Sequence, residues 1–262
     1  MTNTQHTLVY DLSNLAYISA GLLPRGAEQH SSAPEQIFEQ LVQYCRQLYR
    51  WFEPNHAIFA CDTEPYWRSE IFPDYKANRT ESTLKLNVRK ALEIFQREKS
   101  AVCCALAGCE ADDIIYAATQ HVPGRISIVS ADQDFVQLIN ERVKLYQPRK
   151  KQFAVLPKNP GLELFIKCIR GDKSDNIPSA YPRVLKKVLQ RAYLDPKLLQ
   201  KIMATELDNG QTVQQTYERN RQLIDLSNIP EHLYWQLCER IDALVPLAKP
   251  ISNLEINRHG DA

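Results

Sequence analysis

The chain has 262 residues, with 44% hydrophobic and 24% charged side chains, the mixture of a folded globular protein; intrinsic disorder, collagen-like repeats and disulfide miniproteins are excluded. The length suggests a core domain with a smaller appendage, and the longest uncharged apolar run, Ala101 to Cys109, is about half of the roughly 18 residues a membrane span needs, so no membrane partner is expected. Thirty-two basic against 31 acidic residues give a net charge of +1, which becomes informative only once the acids are located.

The polar start, Met1 to His6, lacks the series of basic, apolar and small-residue segments of an export signal, so a cytoplasmic location is expected. Thr7 to Leu12 reads as a buried strand ending near an aspartate, and Ser32 with Pro34 as the cap and first turn of a helix running to about Phe52, whose apolar residues recur every three or four positions. His56 to Cys61 reads as a second strand. A helix marked by Leu84, Val88, Ala91 and Phe95 follows, then a strand from Ala101 to Leu106, a helix from Ala111 to Gln120 and a strand from Ile126 to Val129. Such alternation predicts an α/β fold with a mostly parallel central sheet and helices on both faces. After Pro148 the chain changes to a basic, hairpin-like stretch and then to helical signals only. The predicted organisation is therefore an α/β core over 1–157 and a helical region over 158–262.

Glycine-rich nucleotide loops, C-x-x-C pairs and histidine metal spacings do not occur among the eight glycines, seven cysteines and six histidines, and the cysteines read as reduced core thiols. The acids stand out instead. Asp11 and Asp62 close strands, Glu110, Asp112 and Asp113 open a helix after a strand, and Asp132 and Asp134 follow another strand. In a parallel α/β sheet those positions converge on the carboxyl edge, where such folds place their sites. Asp172 and Asp175 complete a set of nine. Read singly, each could be a helix cap or a solvated loop residue, Asp132 an N-cap and Glu110 a partner of a helix dipole. Together they repel, and bound cations are the economical remedy. All-oxygen ligation favours Mg²⁺ or Mn²⁺, and two groups of carboxylates suit a pair of ions roughly 3.5–4 Å apart. Setting the nine aside leaves the other 22 acids against 32 basic residues, a surface suited to phosphate. Basic residues interleave with aromatics at Trp67-Arg68 and Tyr75-Lys76, a pattern of single-strand contact.

Five segments in order, YDLSN, ACDTEPYWRSEIFPDYKANR, GCEADD, SADQDFVQL and GDKSDNIPS, resemble the motifs of the 5′-nuclease family of flap endonucleases and 5′→3′ exonucleases, from about Val9 to Arg191 and closest to its phage ribonuclease H branch. The resemblance implies a PIN-like core with an arch over about 63–100 and a modified helix-three-turn-helix duplex motif over about 163–191. It implies metal ligation by Asp11, Asp62, Glu110, Asp112, Asp113 and Asp132, with Asp134, Asp172 and Asp175 holding the second ion, and phosphate contacts from Arg68 and Lys76, which with Asp132 form the catalytic set. Tyr75 would stack on an unpaired base, with Arg79 beside it on the nucleic acid. The implied activity is metal-dependent 5′→3′ exonuclease, flap endonuclease and ribonuclease H-like hydrolysis on DNA or an RNA–DNA hybrid in phage-type replication or repair. The expected molecule is a monomer working beside single-strand binding protein, clamp or polymerase.

One segment departs from the family pattern. Where the family follows the second aspartate with a glycine-rich turn, this chain has Ser179, Pro182 and Val184, so Arg183, Lys186 and Lys187 are expected to take over the duplex phosphates. Two other functions compete: a flap-binding relative without catalysis, and a haloacid-dehalogenase-like, Mg²⁺-dependent phosphatase. The latter wants D-x-D after the first strand, where this chain has Asp11-Leu12-Ser13.

Overall fold

The computed structural model describes residues 5–23, 33–99 and 102–244. The chain divides into two compact units, one made of Met1–Glu64, Glu81–Ala154 and Glu231–Ala262, the other of Pro65–Thr80 and Val155–Pro230.

In the first unit β1 (His6–Asp11) is buried at every position, which is why it reads as a run without alternation. It pairs in parallel with β2 (His56–Ala60), Val9 opposite Ile58, and with β4 (Arg125–Val129), Val9 opposite Ile128. β3 (Cys103–Cys104) lies parallel beside β2, β5 (Val143–Gln147) parallel beside β4, and β6 (Gln152–Phe153) closes the edge antiparallel, giving the order β3-β2-β1-β4-β5-β6.

One face of this sheet is covered by α1 (Leu12–Leu22), α2 (Pro34–Phe52) and, after α3 (Arg68–Ile71) of the second unit, α4 (Thr83–Glu98). Tyr10 and Phe59 stack there at 4.5 Å and 5°, with Phe95 of α4 at 5.1 Å from Phe59. Full burial of side chains of this size stabilises by about 1.5–3 kcal/mol each. α5 (Ala111–His121) packs on β1 and β2, and α10 (Glu231–Leu244) packs on α5 and β3. His121 meets Asp242 at 2.8 Å across that helix pair.

The second unit is helical apart from short bridges. Its core joins α6 (Pro160–Arg170), α7 (Lys186–Leu194), α8 (Pro196–Met203) and α9 (Val213–Ile224) through Phe165, Ile169, Leu189, Ala192, Ile202 and Val213. A second cluster gathers Tyr75, Cys168, Ile177, Leu223 and Ile224. Asn159, Asp195 and Thr212 cap α6, α8 and α9 with their side-chain oxygens, as such residues do when four amides lack helical partners.

The division departs from the sequence expectation in two places. Residues 65–80, expected in the α/β core, go with the helical unit, and Glu231 onward, expected in the helical region, returns to the first unit. α1 and β5 were not foreseen, and the strand expected from Ala101 to Leu106 shrinks to Cys103–Cys104, with Ala101 outside the described residues. Ser32, expected as the cap of α2, also lies outside them; Ala33 stands at that position, and its amide donates to Gln36 at 3.2 Å. Among the described residues no helix is long and apolar enough to cross a membrane.

Candidate active site

Seven of the nine acids belong to the first unit, and the parallel register sets most of them at the carboxyl ends of neighbouring strands. Asp11 ends β1 and is 6% exposed. It also caps α1, its Oδ1 accepting from the Asn14 amide at 3.1 Å, so strand and helix join without a loop. Its Oδ2 accepts from the Ser130 hydroxyl at 2.7 Å, and the same hydroxyl accepts from the Asp132 amide at 3.0 Å. Asp62, two residues beyond β2, accepts from the Ala111 amide at 2.8 Å and from the Ser13 hydroxyl. Asp132, exposed in the loop after β4, accepts from the Asp134 amide at 2.8 Å, and Asp134 opens a 3-10 turn. Glu110 and Asp113 are 1% and 0% exposed at the start of α5, and the Asp113 carboxylate accepts the Glu110 amide at 2.8 Å. Asp112 lies half-buried in the same first turn.

Burial raises the Asp11 carboxyl to about 7; the Ser130 hydrogen bond opposes this, and the charges of Asp62 and Asp132 add to it. A buried carboxylate facing two others is thus destabilised as an anion in the protein alone. Among the described residues no three acidic, histidine or cysteine groups close into a finished cation cage. The acids are held instead by serine hydroxyls and backbone amides, so the donor set is oxygen throughout and fits a hard divalent ion.

Ser13, Asn14 and Ser130 were not singled out in the sequence. Asn14 accepts from the Ala131 amide at 2.9 Å, tying α1 to the loop that carries Asp132. Their signal was present: a buried aspartate needs donors, and small polar residues flank each acid in YDLSN and in the VSAD run from Val129.

In the second unit Asp172 and Asp175 are not on a helix. They lie in a loop closed by the antiparallel bridge between Asp172 and Ile177. Burial pushes the Asp172 carboxyl up, but the Lys167 ammonium at 2.8 Å and the Ser174 hydroxyl and amide outweigh it and draw the group down to about 2. Asp175 accepts from Arg79 at 2.6 Å and from the Tyr75 hydroxyl at 3.3 Å, and its carbonyl accepts the Lys76 amide at 2.9 Å. Asn78 donates to the Lys173 carbonyl and Asn176 to that of Asp74, so residues 74–79 are clamped to this loop. Lys76 takes a left-handed φ of 58°, and its ammonium lies 5.3 Å and 5.0 Å from the rings of Tyr66 and Tyr75.

Two residues are placed otherwise than expected. Arg68 is 2% exposed, its Nε donates to the Leu223 carbonyl at 3.2 Å, and its guanidinium stacks 4.4 Å from the Trp67 ring, so it braces α3 against α9 and has no open face for a phosphate. Tyr75 is 6% exposed and packs in the cluster with Cys168 and Leu223, so its ring is not an open stacking platform. Arg183, with a left-handed φ of 61°, is exposed in the turn before α7, Lys186 and Lys187 are exposed at the start of that helix, and Lys186 pairs with Glu163 at 2.9 Å.

The model of the N-terminal resolvase-like domain of 5′-3′ exonucleases matches residues 7–160. A 5′-3′ exonuclease of Streptomyces coelicolor is 25% identical over 199 residues, 65% of this chain and 66% of that protein. Flap endonuclease Xni of a Shewanella strain is 29% identical over 157 residues, 55% of this chain and 59% of its own length, and that of Aeromonas salmonicida 27% identical over 203 residues, 71% and 76%. The matches therefore span 66% and 59% of the first two relatives, less than two thirds of each. Among solved structures, the bacteriophage T5 5′-exonuclease with bound zinc superposes with a TM-score of 0.71 at 18% identity over 94% of this chain and 100% of that one. The T5 flap endonuclease in a complex with DNA and metal ions gives 0.69 at 16% over 92% and 99%. At those identities the structures establish a shared fold, while the domain match covers more than half of the chain, including the seven acids of the first unit: this protein belongs to the 5′-3′ exonuclease family.

Proposed function

We propose that the chain is a divalent-metal-dependent, structure-specific 5′ nuclease that hydrolyses phosphodiesters at 5′ ends, flaps or RNA primers, on DNA or an RNA–DNA hybrid. What supports this reading is that β1, β2 and β4 end side by side with Asp11, Asp62 and Asp132 at or just past their carboxyl ends, and that Glu110 and Asp113 open α5, all inside the segment matched by the family. The T5 flap endonuclease of the same fold was crystallised with DNA and metal ions, and the Xni relatives are flap endonucleases.

Asp11, Asp62, Glu110, Asp112, Asp113 and Asp132 would hold the metal; of the three acids expected on a second ion, Asp134 lies in the first unit, while Asp172 and Asp175 would serve an ion only in competition with Lys167 and Arg79. Bound Mg²⁺ or Mn²⁺ supplies a charge that acidifies water and neutralises the phosphodiester as negative charge develops on it. The protein's own part is positioning. Ser130 holds Asp11 and the Asp132 backbone together, and Ser13 holds Asp62, so the carboxylates need little rearrangement. Lys76, restrained by two tyrosine rings and a left-handed backbone, presents a preorganised cation, and Arg79 a second, for the substrate phosphates.

Cleavage of a 5′-flap, a nicked RNA–DNA hybrid and a closed circle, each with and without Mg²⁺, tests the proposal. Metal-dependent release of products with 5′-phosphate ends from the first two, with the circle spared, is expected. Binding without cleavage would assign the chain to the flap-binding alternative, and turnover of a small phosphomonoester in its place would assign it to the phosphatases.

A further inference from the structure

A groove runs over the outer side of α2 in the first unit. A cavity of about 730 Å³ is lined by residues that include Tyr17, Tyr44, Trp51, Tyr146, Arg149 and Lys151. A neighbouring cavity of about 470 Å³ is lined by Gln43, Arg46, Gln47, Arg50 and Trp51. The two share Gln47 and Trp51, which makes them one surface, and among the described residues no carboxylate lines either. We propose that this groove is a second nucleic-acid site, built to hold a short unpaired strand.

Three features carry the inference. Trp51 is 58% exposed yet fixed: its ring meets Tyr146 edge-on at 4.9 Å and 67°, and packs on Phe52 at 4.9 Å. Phe52 and Tyr146 in turn contact Phe153, so the indole is an open face on a rigid aromatic base, the arrangement on which a nucleobase stacks. The turn joining β5 to β6 then carries Arg149, Lys150 and Lys151 in succession, with Lys151 at φ 51° where glycine or asparagine is usual. A lysine kept in a backbone state that disfavours it points to a use for its charge, and Arg46 and Arg50 add two cations one helical turn apart. Finally, Gln40, Gln43 and Gln47 recur along α2 at three and four residues, offering amide donors and acceptors beside the rings.

Stacking face, base-edge amides and phosphate cations are the three needs of a single strand. A duplex hides its base faces and would leave the indole unused, and an acidic peptide would use the cations and the apolar floor but not the row of amides. Binding here needs neither divalent ion nor cleavage, so the inference stands apart from the nuclease reading.

The test is fluorescence anisotropy of a short fluorescein-labelled oligothymidylate with the full chain in EDTA. Trp51→Ala should weaken binding roughly ten-fold or more, while Trp51→Phe keeps most of it. Arg149→Ala with Lys151→Ala should lower the slope of log K against log salt by about 0.7 for each cation removed. Arg46→Ala with Arg50→Ala asks the same question without disturbing the aromatic cluster, and affinity for a duplex of equal length should not change with Trp51→Ala. Unaltered strand affinity in Trp51→Ala and in both double variants would overturn the proposal. So would binding of an acidic aromatic peptide that depends on Trp51 when strand binding does not.

Discussion

Replacing Arg68 separates a bracing role for its buried guanidinium from a contact with the substrate phosphate. Truncation in Arg68→Ala removes a hydrogen bond from a charged donor to the Leu223 carbonyl at 3.2 Å, worth about 1.5–3 kcal/mol, and a largely desolvated cation–π interaction with Trp67 at 4.4 Å, worth up to about 2 kcal/mol. The carbonyl is left in the interior without that donor, and the side chain is 2% exposed, so water does not readily replace it. The expected loss is about 3–5 kcal/mol of unfolding free energy. Arg68→Lys should recover only part, because an ammonium lacks the planar fork that reaches the carbonyl and the indole together. Urea unfolding followed by circular dichroism gives the stability, and single-turnover cleavage at low temperature, scaled to the folded fraction, gives the rate. A midpoint equal to wild type combined with a rate reduced by orders of magnitude would refute the structural role and return Arg68 to the phosphate.

Asp132→Asn should cut single-turnover cleavage by orders of magnitude with substrate affinity within a few fold, and excess EDTA should abolish turnover of the wild type; full activity in either case contradicts the metal reading. Ser130→Ala, which releases Asp11 and the Asp132 amide together, should raise the Mg²⁺ concentration for half-maximal rate by about 10–100-fold, read from a metal titration. Lys76→Gly, which accepts the left-handed φ of 58° without strain, should lower the chemical rate at saturating substrate, whereas an unchanged rate would free Lys76 from the assignment.

The strands β1, β2 and β4 were legible because central parallel strands are continuous apolar runs, and α2 because its apolar stripe is long and begins with proline. β5 was not, since the run from Val143 to Gln147 mixes polar and apolar residues and is held by register with β4, a long-range fact. α1 escaped for a related reason: it follows the strand without a break, and the aspartate that caps it also reads as the strand's end. Strand-end acids were readable because topology alone carries them to one edge. The burial of Arg68 and Tyr75 was not, because an aromatic-basic run looks the same whether it faces solvent or packs on a helix such as α9 that lies over 140 residues later. Residues 65–80 and the last helix likewise join their units through long-range packing, which no local pattern encodes.

The turn after Asp175 yields the last prediction. A phosphate-gripping turn needs a row of free backbone amides, and here those amides are largely spent. Ala180 and Tyr181 donate to the Ile169 carbonyl at 2.7 and 3.4 Å, Val184 to that of Tyr181 at 3.5 Å, and Pro182 has no N–H. Buried Asn220 locks the arrangement by donating to the Cys168 and Pro178 carbonyls at 3.0 and 2.8 Å. Duplex phosphates must then be met by side chains, and those at the start of α7 are not equivalent. Lys186 is engaged by both oxygens of Glu163, at 3.1 and 2.9 Å, and would have to give up that pair, whereas Lys187 is exposed in the next position of the helix. Lys187→Ala should therefore weaken duplex binding more than Lys186→Ala, and the double variant should lower the salt slope by about 0.9 for every phosphate no longer neutralised. With the glycines of the family turn replaced and the phosphates met by lysine side chains, duplex affinity should be equal in K⁺ and Na⁺ at matched ionic strength. Anisotropy titrations of a blunt duplex in the two salts decide the matter: a marked K⁺ preference, or Lys186→Ala exceeding Lys187→Ala, would show that the backbone of this turn grips the phosphates after all.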